Sequence, residues 1–252
     1  MRLSGIFADY DGTLAPKDVT RAESKPLDGI LQSVDGIRER GKFAVVSTKD
    51  FWFLASRLPR VDAIGCIGGI EVVVGDRAWV RRGVLKKLER VCELFDASAR
   101  MIADPEVVFE VKSLRNGMAA GLCIDWRHAR PPAEDVVERI KEAAIGFGLY
   151  FEKYEHEPFL DVFPARPDKG AAVSFIKDFL RMDGPIMYIG DSRADNPAFR
   201  VADVSVGVVH GREAPALECQ YFIRFEEVPR LLSELVNLGL DFDPSRLPLS
   251  RV

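Results

Sequence analysis

Residues 3–13 read Leu3-Ser4-Gly5-Ile6-Phe7-Ala8-Asp9-Tyr10-Asp11-Gly12-Thr13. A short apolar run stops at two carboxylates and a glycine. The run predicts a buried strand. Gly12 lets the chain turn directly after it, because glycine enters backbone conformations closed to other residues. In an open α/β sheet, ligands bind at the carboxyl ends of the strands. Asp9 and Asp11 stand at such an end. A carboxylate there can attack phosphorus and become an acyl phosphate. A second carboxylate two residues on can protonate a leaving alcohol and then deprotonate an attacking water. In isolation a plain Asp-Gly turn would look the same, so the rest of the chain decides. A calcium-binding helix–loop–helix is excluded, because Gly12 comes two places too early and no helix precedes it.

Outward from this turn the order is β-α-β-α-β. Residues 26–40 carry Leu27, Ile30, Leu31, Val34 and Ile37 at helical spacing, and Gly41 stops them. Residues 42–46 predict a second buried strand ending in Ser47-Thr48-Lys49-Asp50. A helix over 51–58 and a strand over 63–67 follow. This order predicts a parallel sheet with helices on its faces. Near residue 70 the pattern changes. A hairpin over 71–81 turns at Gly75-Asp76, and a long helix covers 84–103. Strands over 106–112 and 118–126 join through Asn116-Gly117, a strong hairpin signal. Pro131-Pro132 opens a helix reaching about residue 144, and strands cover 149–154 and 159–163. The first pattern then resumes, with helices over 169–180, 197–201 and 228–238 and strands over 186–189 and 204–208. The expected architecture is an α/β domain, residues 1–81 and 165–252, interrupted by an α+β insert over 82–164. The tail after Gly239 has Pro244 and Pro248 and no periodicity, and no element is predicted there.

Composition narrows the function. The net charge of −4 offers no basic surplus, so neither nucleic acid nor an anionic membrane is an expected partner. Cys66, Cys92, Cys123 and Cys219 are far apart and form no C-x-x-C pair. Buried free thiols are expected, not a zinc site or a disulfide scaffold. No apolar run reaches the ~20 residues of a membrane helix. Residues 1–8 run into a strand without a signal-peptide layout, which makes the cytoplasm the expected location.

Three further segments place polar groups at strand ends or helix starts. Ser47 follows the second strand, where a hydroxyl and backbone amides suit a phosphoryl oxygen. A helix cap is the plainer role for Ser47. Lys169, in Pro167-Asp168-Lys169-Gly170, opens a helix and can balance a phosphate, or it can be a solvated surface lysine. Gly190-Asp191-Ser192-Arg193-Ala194-Asp195-Asn196 puts two carboxylates after a later strand. Magnesium wants hard oxygens and keeps several waters, so few carboxylates suffice. A capped helix start would use the same residues. Two other patterns fail on context. Gly36 to Phe43 reads G-x-x-x-x-G-K-F, but it lacks the final Ser or Thr and precedes its strand. Gly146-Phe147-Gly148 has no third glycine. His128, His156 and His210 form no Ser-His-Asp or metal pattern.

Taken in order, the four segments resemble the four motifs of the haloacid dehalogenase superfamily. Asp9-Tyr10-Asp11-Gly12-Thr13 is similar to the first motif, Ser47 to the second, Lys169 to the third, and Gly190-Asp191 with Asp195 to the fourth. The resemblance covers the whole chain, with residues 82–164 where that superfamily carries a large α+β cap. It implies a Rossmann-like parallel-sheet core and a magnesium-dependent phosphatase. Asp9 would be nucleophile and magnesium ligand. Asp11 would be the acid/base, with its backbone carbonyl on the metal. Ser47 and Lys169 would bind the transferring phosphoryl group. Asp191 would be a metal ligand, and Asp195 would support the metal directly or through water. Asp11 argues against carbon–halogen cleavage, which needs no acid for an alcohol leaving group.

Within the superfamily the chain resembles trehalose-6-phosphate phosphatases and their sugar-phosphatase relatives. Asp161-Val162-Phe163-Pro164 is similar to an acid, apolar, Arg, Pro stretch there, with Phe163 in place of the arginine. Phe109-Glu110-Val111-Lys112 and Asp125-Trp126-Arg127 are similar to acid-x-Lys and His-Tyr-Arg stretches, with Asp125 and Trp126 in place of His and Tyr. The resemblance implies a small phosphorylated metabolite, a sugar phosphate, as substrate. The substrate candidates in the insert are Glu110, Lys112, Arg115 and Arg127, with Trp126 as a sugar-stacking face. Simple hairpin packing is the other role open to them. A phosphomutase or other phosphotransferase, or a non-catalytic binding module on the same fold, is the alternative function.

Overall fold

The computed structural model describes residues 1–154, 157–211 and 216–251. His156 lies outside them. Two compact units divide the chain: Met1–Trp79 with Asp168–Val252, and Val80–Pro167.

The first unit opens with β1 (Gly5–Ala8), α1 (Ile30–Arg38), β2 (Lys42–Val46), α2 (Phe51–Arg57), β3 (Ala63–Cys66) and β4 (Glu71–Val74), and β5 (Arg77–Val80) ends it at the boundary. The second unit contributes α3 (Leu88–Met101), β6 (Val108–Ser113), β7 (Ala119–Asp125), α4 (Glu134–Gly146), β8 (Tyr150–Lys153) and β9 (Phe159–Phe163). The chain returns to the first with α5 (Lys169–Phe179), β10 (Ile186–Gly190), α6 (Asn196–Phe199), β11 (Val204–Val209), β12 (Tyr221–Arg224), α7 (Val228–Asn237) and β13 (Ser250–Arg251).

A nine-stranded sheet runs β13-β12-β11-β10-β1-β2-β3-β4-β5. Its central strands, β12 through β3, pair in parallel, and β4 and β13 pair antiparallel to their inner neighbours. β1 is buried at every residue, because helices cover both faces of such a sheet. Phe7, Val46, Val173, Ile176, Tyr188 and Phe199 form one buried cluster. Chain order reverses at β1: β2 lies on one side and β10 on the other. Ala8 is in register with Val45 and with Ile189, so the residues after β1, β2 and β10 emerge side by side. That juncture is where an open α/β sheet binds ligands.

The second unit folds a four-stranded sheet, β6-β7-β9-β8, antiparallel throughout. Leu122, Ile124, Leu160 and Val162 pack with Val91 and Leu94 of α3 and with Val137 and Ile140 of α4. The expected α/β core with an α+β insert is present, and Gly117 turns the β6–β7 hairpin at φ 87°. Departures are local. α1 starts at Ile30 behind a left-handed Gly29 (φ 81°), while Leu27 bonds back to Leu14. β12 and β13 appear where no strand was expected. Cys92 is exposed, contrary to the expectation of buried thiols, while Cys66 and Cys123 are buried and all four cysteines are free. Among the described residues, no helix is long and apolar enough to cross a membrane.

Candidate active site

Three strand ends and one helix start converge in the first unit. Asp9 follows β1, Ser47 follows β2, Asp191 follows β10, and Lys169 opens α5. The turn after β1 is closed by its own backbone: Leu14 and Ala15 both donate to the Tyr10 carbonyl, and Gly12 donates to that of Ala15. The Tyr10 ring is buried beneath the turn, edge-on to Phe53 with centroids 5.3 Å apart, and its hydroxyl donates to the Ser24 carbonyl. Gly12 sits at φ 70°, and a Cβ there would overlap the Asp191 carboxylate. Both facts require glycine, the first for conformation and the second for space.

Lys169 is the centre of the arrangement. Asp168 caps α5 by accepting from Ala171 N–H at 2.9 Å, which places the next residue at the helix start. The Lys169 side chain is 2% exposed, with Nζ 2.7 Å from Asp9 Oδ2 and 2.7 Å from Asp195 Oδ1. Asp195 is fully buried and saturated. Its Oδ1 also accepts from Tyr188 O–H at 2.7 Å, and its Oδ2 accepts from Asp191 N–H, Ser192 N–H and Ser192 O–H at 3.0–3.2 Å. Ser192 and Asp195 thus form a reciprocal capping box at the short helical turn. The structural role and the site role belong to one residue.

Ligand oxygens of Asp9, Asp191 and Asp195 all lie within 4.8 Å of one another. One buried ammonium faces these three carboxylates, and the imbalance shows in their acidities. The Asp9 carboxyl is raised to about 6: burial pushes it up most, Lys169 pulls it down, and Asp195 pushes it up again. Burial pushes Asp191 well above the carboxylate range, with Asp9 and Asp195 adding to the shift. Burial alone would lower Lys169, but Asp195 and Asp9 outweigh it and hold the ammonium charged. An excess of buried negative charge with hard oxygen donors fits magnesium.

Ser47 is buried, and its Oγ accepts from Lys49 N–H at 3.4 Å. It does not cap α2. Asp50 does, accepting from Phe53 N–H at 2.9 Å. Asp11 is partly exposed, with Lys49 Nζ 3.6 Å from its Oδ2. Lys49 was legible only as part of a polar run after β2. Tyr188 carries no signal, since it reads as one more apolar residue of a buried strand. His210, set aside as patternless, follows β11 at the same edge of the sheet and reaches the Gly12 carbonyl at 2.8 Å. Its strand-end position was the available signal.

The five candidates in the second unit do not share one environment. Glu110, Cys123, Asp161 and Glu152 stand in register across β6, β7, β9 and β8, on the sheet face opposite the helices. Lys112 joins this row: its Nζ lies 2.6 Å from Asp161 Oδ1, both side chains at most 4% exposed. Tyr154 O–H donates to the other Asp161 oxygen at 3.1 Å. Arg127 is 25% exposed and pairs with Asp125 at 2.8 Å. Arg115 lies in the β6–β7 turn and is partly exposed. Trp126 is 7% exposed and packs in the apolar core with Ile124 and Ile140, so it offers no open face for a sugar. An indole spends its large apolar area on burial first.

No family model matches the chain, and no curated protein matches it in sequence. Solved structures do match. A trehalose-6-phosphate phosphatase related protein is 20% identical, with 94% of this chain and 98% of that one covered and a TM-score of 0.75. The C-terminal domain of the C. albicans trehalose-6-phosphate phosphatase is 17% identical, covering 94% and 93%, at a TM-score of 0.72. A subclass IIB sugar phosphatase of the haloacid dehalogenase superfamily is 13% identical, covering 94% and 100%, at 0.60. At these identities the likeness establishes a shared fold.

Proposed function

We propose that this chain is a magnesium-dependent phosphatase that hydrolyses a small phosphorylated metabolite, a sugar phosphate, through an aspartyl-phosphate at Asp9. The observation that carries it is the Lys169 ammonium shared at 2.7 Å between Asp9 and Asp195, with Asp191 beside them at the sheet's ligand-binding edge. A carboxylate held at a strand end with a cation on one oxygen is an oriented nucleophile. At neutral pH Asp9 is ionised, since its carboxyl titrates at about 6.

Asp9 attacks phosphorus, and the P–O bond to the alcohol breaks. Asp11 gives the departing oxygen a proton, then takes one from the water that hydrolyses the acyl phosphate and restores Asp9. Lys169 and the Ser47 hydroxyl bind the non-bridging oxygens of the phosphoryl group, Lys169 as a charge and Ser47 as a donor. Asp9, Asp191 and the Asp11 carbonyl would hold the magnesium ion, which when bound neutralises charge on the phosphoryl oxygens. Asp195 acts from behind: its oxygens are already engaged, and it aims Lys169 and the Asp191 backbone. The named sugar phosphatases among the solved structures support a sugar phosphate over other monoesters. The second unit, with its polar sheet face, would select the alcohol. The cytoplasm is the proposed location, with no nucleic acid or membrane partner.

The test is phosphate release from a panel of phosphorylated metabolites, with magnesium and with excess chelator. Activity is expected only with the ion. Asp9→Asn should abolish it while the thermal unfolding profile stays native. Full activity in chelator would overturn the metal assignment. Residual activity of Asp9→Asn within tenfold of wild type would overturn the nucleophile.

A further inference from the structure

We propose that His210 is a positioning residue, whose Nε2–H locks the acidic turn after β1 against Asp191. The inference rests on the phosphatase reading above. His210 directly follows β11, which pairs in parallel with β10 and shares the Gly190↔Gly207 register. Its Nε2 lies 2.8 Å from the Gly12 carbonyl oxygen and 3.6 Å from Asp191 Oδ2. A carbonyl only accepts, so Nε2 carries the hydrogen and the neutral ring suffices for the bond. The ring is fixed from the other side by Phe225, with centroids 4.9 Å apart at 31°. Gly12 is pressed against the Asp191 carboxylate so closely that no side chain fits between them. One N–H thus holds the carbonyl of a turn that carries Asp9 and Asp11, and it does so from the strand beyond the one that carries Asp191. Groups that hold the ligands of a cation in orientation typically contribute ~10–100-fold to its affinity.

The ring and the N–H can be separated by substitution. His210→Phe keeps an aromatic ring on Phe225 and loses the donor. His210→Gln keeps an N–H donor and loses the ring. Ion affinity is measured with Mn2+ alone by electron paramagnetic resonance, without turnover. Turnover is followed on p-nitrophenyl phosphate as kcat and KM separately. The expected result is that His210→Phe binds Mn2+ ~10-fold or more weakly, within the 10–100-fold range typical of such supporting groups. Its kcat should fall at limiting ion with KM for the ester unchanged. His210→Gln should retain most of the wild-type affinity. If His210→Phe matches wild type in both measurements, or if His210→Gln is the impaired variant, the ring only packs and the inference is overturned. Wild-type protein that binds no Mn2+ and releases no phosphate would instead overturn the phosphatase reading on which it rests.

Discussion

At the scale of single residues, the site concentrates in the few atoms around Lys169, and burial sets their behaviour. A lysine opening a helix is ordinarily solvated, yet here it is 2% exposed because two carboxylates meet its ammonium. Asp11 differs from these buried groups: its side chain is partly exposed beside Lys49, which suits the proposed exchange of protons with alcohol and water. Asp11→Asn is predicted to lower kcat by ~10²–10⁴, the usual worth of general acid/base work, without changing the unfolding temperature. Steady-state kinetics with a p-nitrophenyl ester and a thermal melt check both halves. Asp9 supplies a pH prediction. Its folded pKa, about 6, lies above the unfolded value of 3.8. Without metal the folded protein therefore favours the protonated acid more than the unfolded chain does, and ionising Asp9 costs stability progressively as pH rises from about 3.8 through about 6. Magnesium binds the ionised form. The rise in Tm on adding magnesium should be small at pH 5 and reach its full size above pH ~7. An increment that is flat across this range would dissociate Asp9 from the ion. Asp9, Asp11, Asp191 and Asp195 were legible as candidates because strand-end carboxylates and a glycine turn are local patterns, and Lys169 because it opens a helix in its place in the order of the motifs. Lys49, Tyr188 and His210 were not, because their relevance lies in contacts between segments distant in the chain.

At the scale of elements, strand ends place the groups and one turn ties them together. Ile67, Gly68 and Gly69 follow β3 with φ 51°, 63° and 86°. A β-branched residue in that region is strained, and it persists only where its surroundings over-determine it. They do so here. Ile67 N–H donates to the Lys49 carbonyl, Gly68 N–H to that of Ser47, and Asp168 N–H to that of Gly68, all at 2.7–2.9 Å. The turn thus joins the end of β2, with Ser47, to the start of α5, with Lys169, the two proposed phosphoryl-binding residues. A Cβ on Gly69 would come within 2.6 Å of the Asp168 carbonyl oxygen. Gly69→Ala is predicted to destabilise by ~1–3 kcal/mol, or several degrees of Tm, and to weaken inhibition by inorganic phosphate. Gly75→Ala is the control, since φ there is also positive but an added Cβ would meet no atom of another segment within 4 Å. It should lose less stability and leave phosphate inhibition unchanged. If the two variants behave alike, the turn has no special bearing on the phosphoryl site. The sequence suggested a strand through residue 67, because Ile67 extends an apolar run and nothing local announces its left-handed backbone. β12 and β13, four and two residues long, are too short for periodicity to reveal and exist through pairing at the sheet edge. By contrast, β9 was expected over 159–163 and is Phe159–Phe163, since its apolar run sits between Pro158 and Pro164.

At the scale of the whole molecule, chemistry and substrate choice are proposed to reside in different units. The first unit contains every group assigned to the proposed phosphoryl transfer, and none of those groups distinguishes one alcohol from another. The second unit has an apolar core of its own and a polar row on the opposite sheet face. Among the candidates of this unit the structure separates two that the sequence treats alike. Lys112 is paired with Asp161 at 2.6 Å, both buried, with the Phe163 ring 5.1 Å from the ammonium. Removing the lysine strands a buried carboxylate, and breaking such a pair from one side costs ~3–5 kcal/mol. Lys112→Ala is therefore predicted to destabilise the protein, and Lys112→Met with Asp161→Leu should recover much of the loss by removing both charges. A double variant as unstable as Lys112→Ala would show that the pair is not the reason. Arg127, 25% exposed beside Asp125, sits nearer the surface, where an ion pair is worth at most ~1 kcal/mol. Arg127→Ala should thus melt within a few degrees of wild type. If Arg127 contacts the alcohol portion of the substrate, KM for the best metabolite rises severalfold while kcat/KM for p-nitrophenyl phosphate is unchanged. That split marks a lost interaction with the leaving group and an intact phosphoryl site. Equal losses on both esters would place Arg127 in the chemistry or in folding. No loss on either would return it to the solvent and shift the selection of substrate to other residues of the polar face, Glu110 first among them.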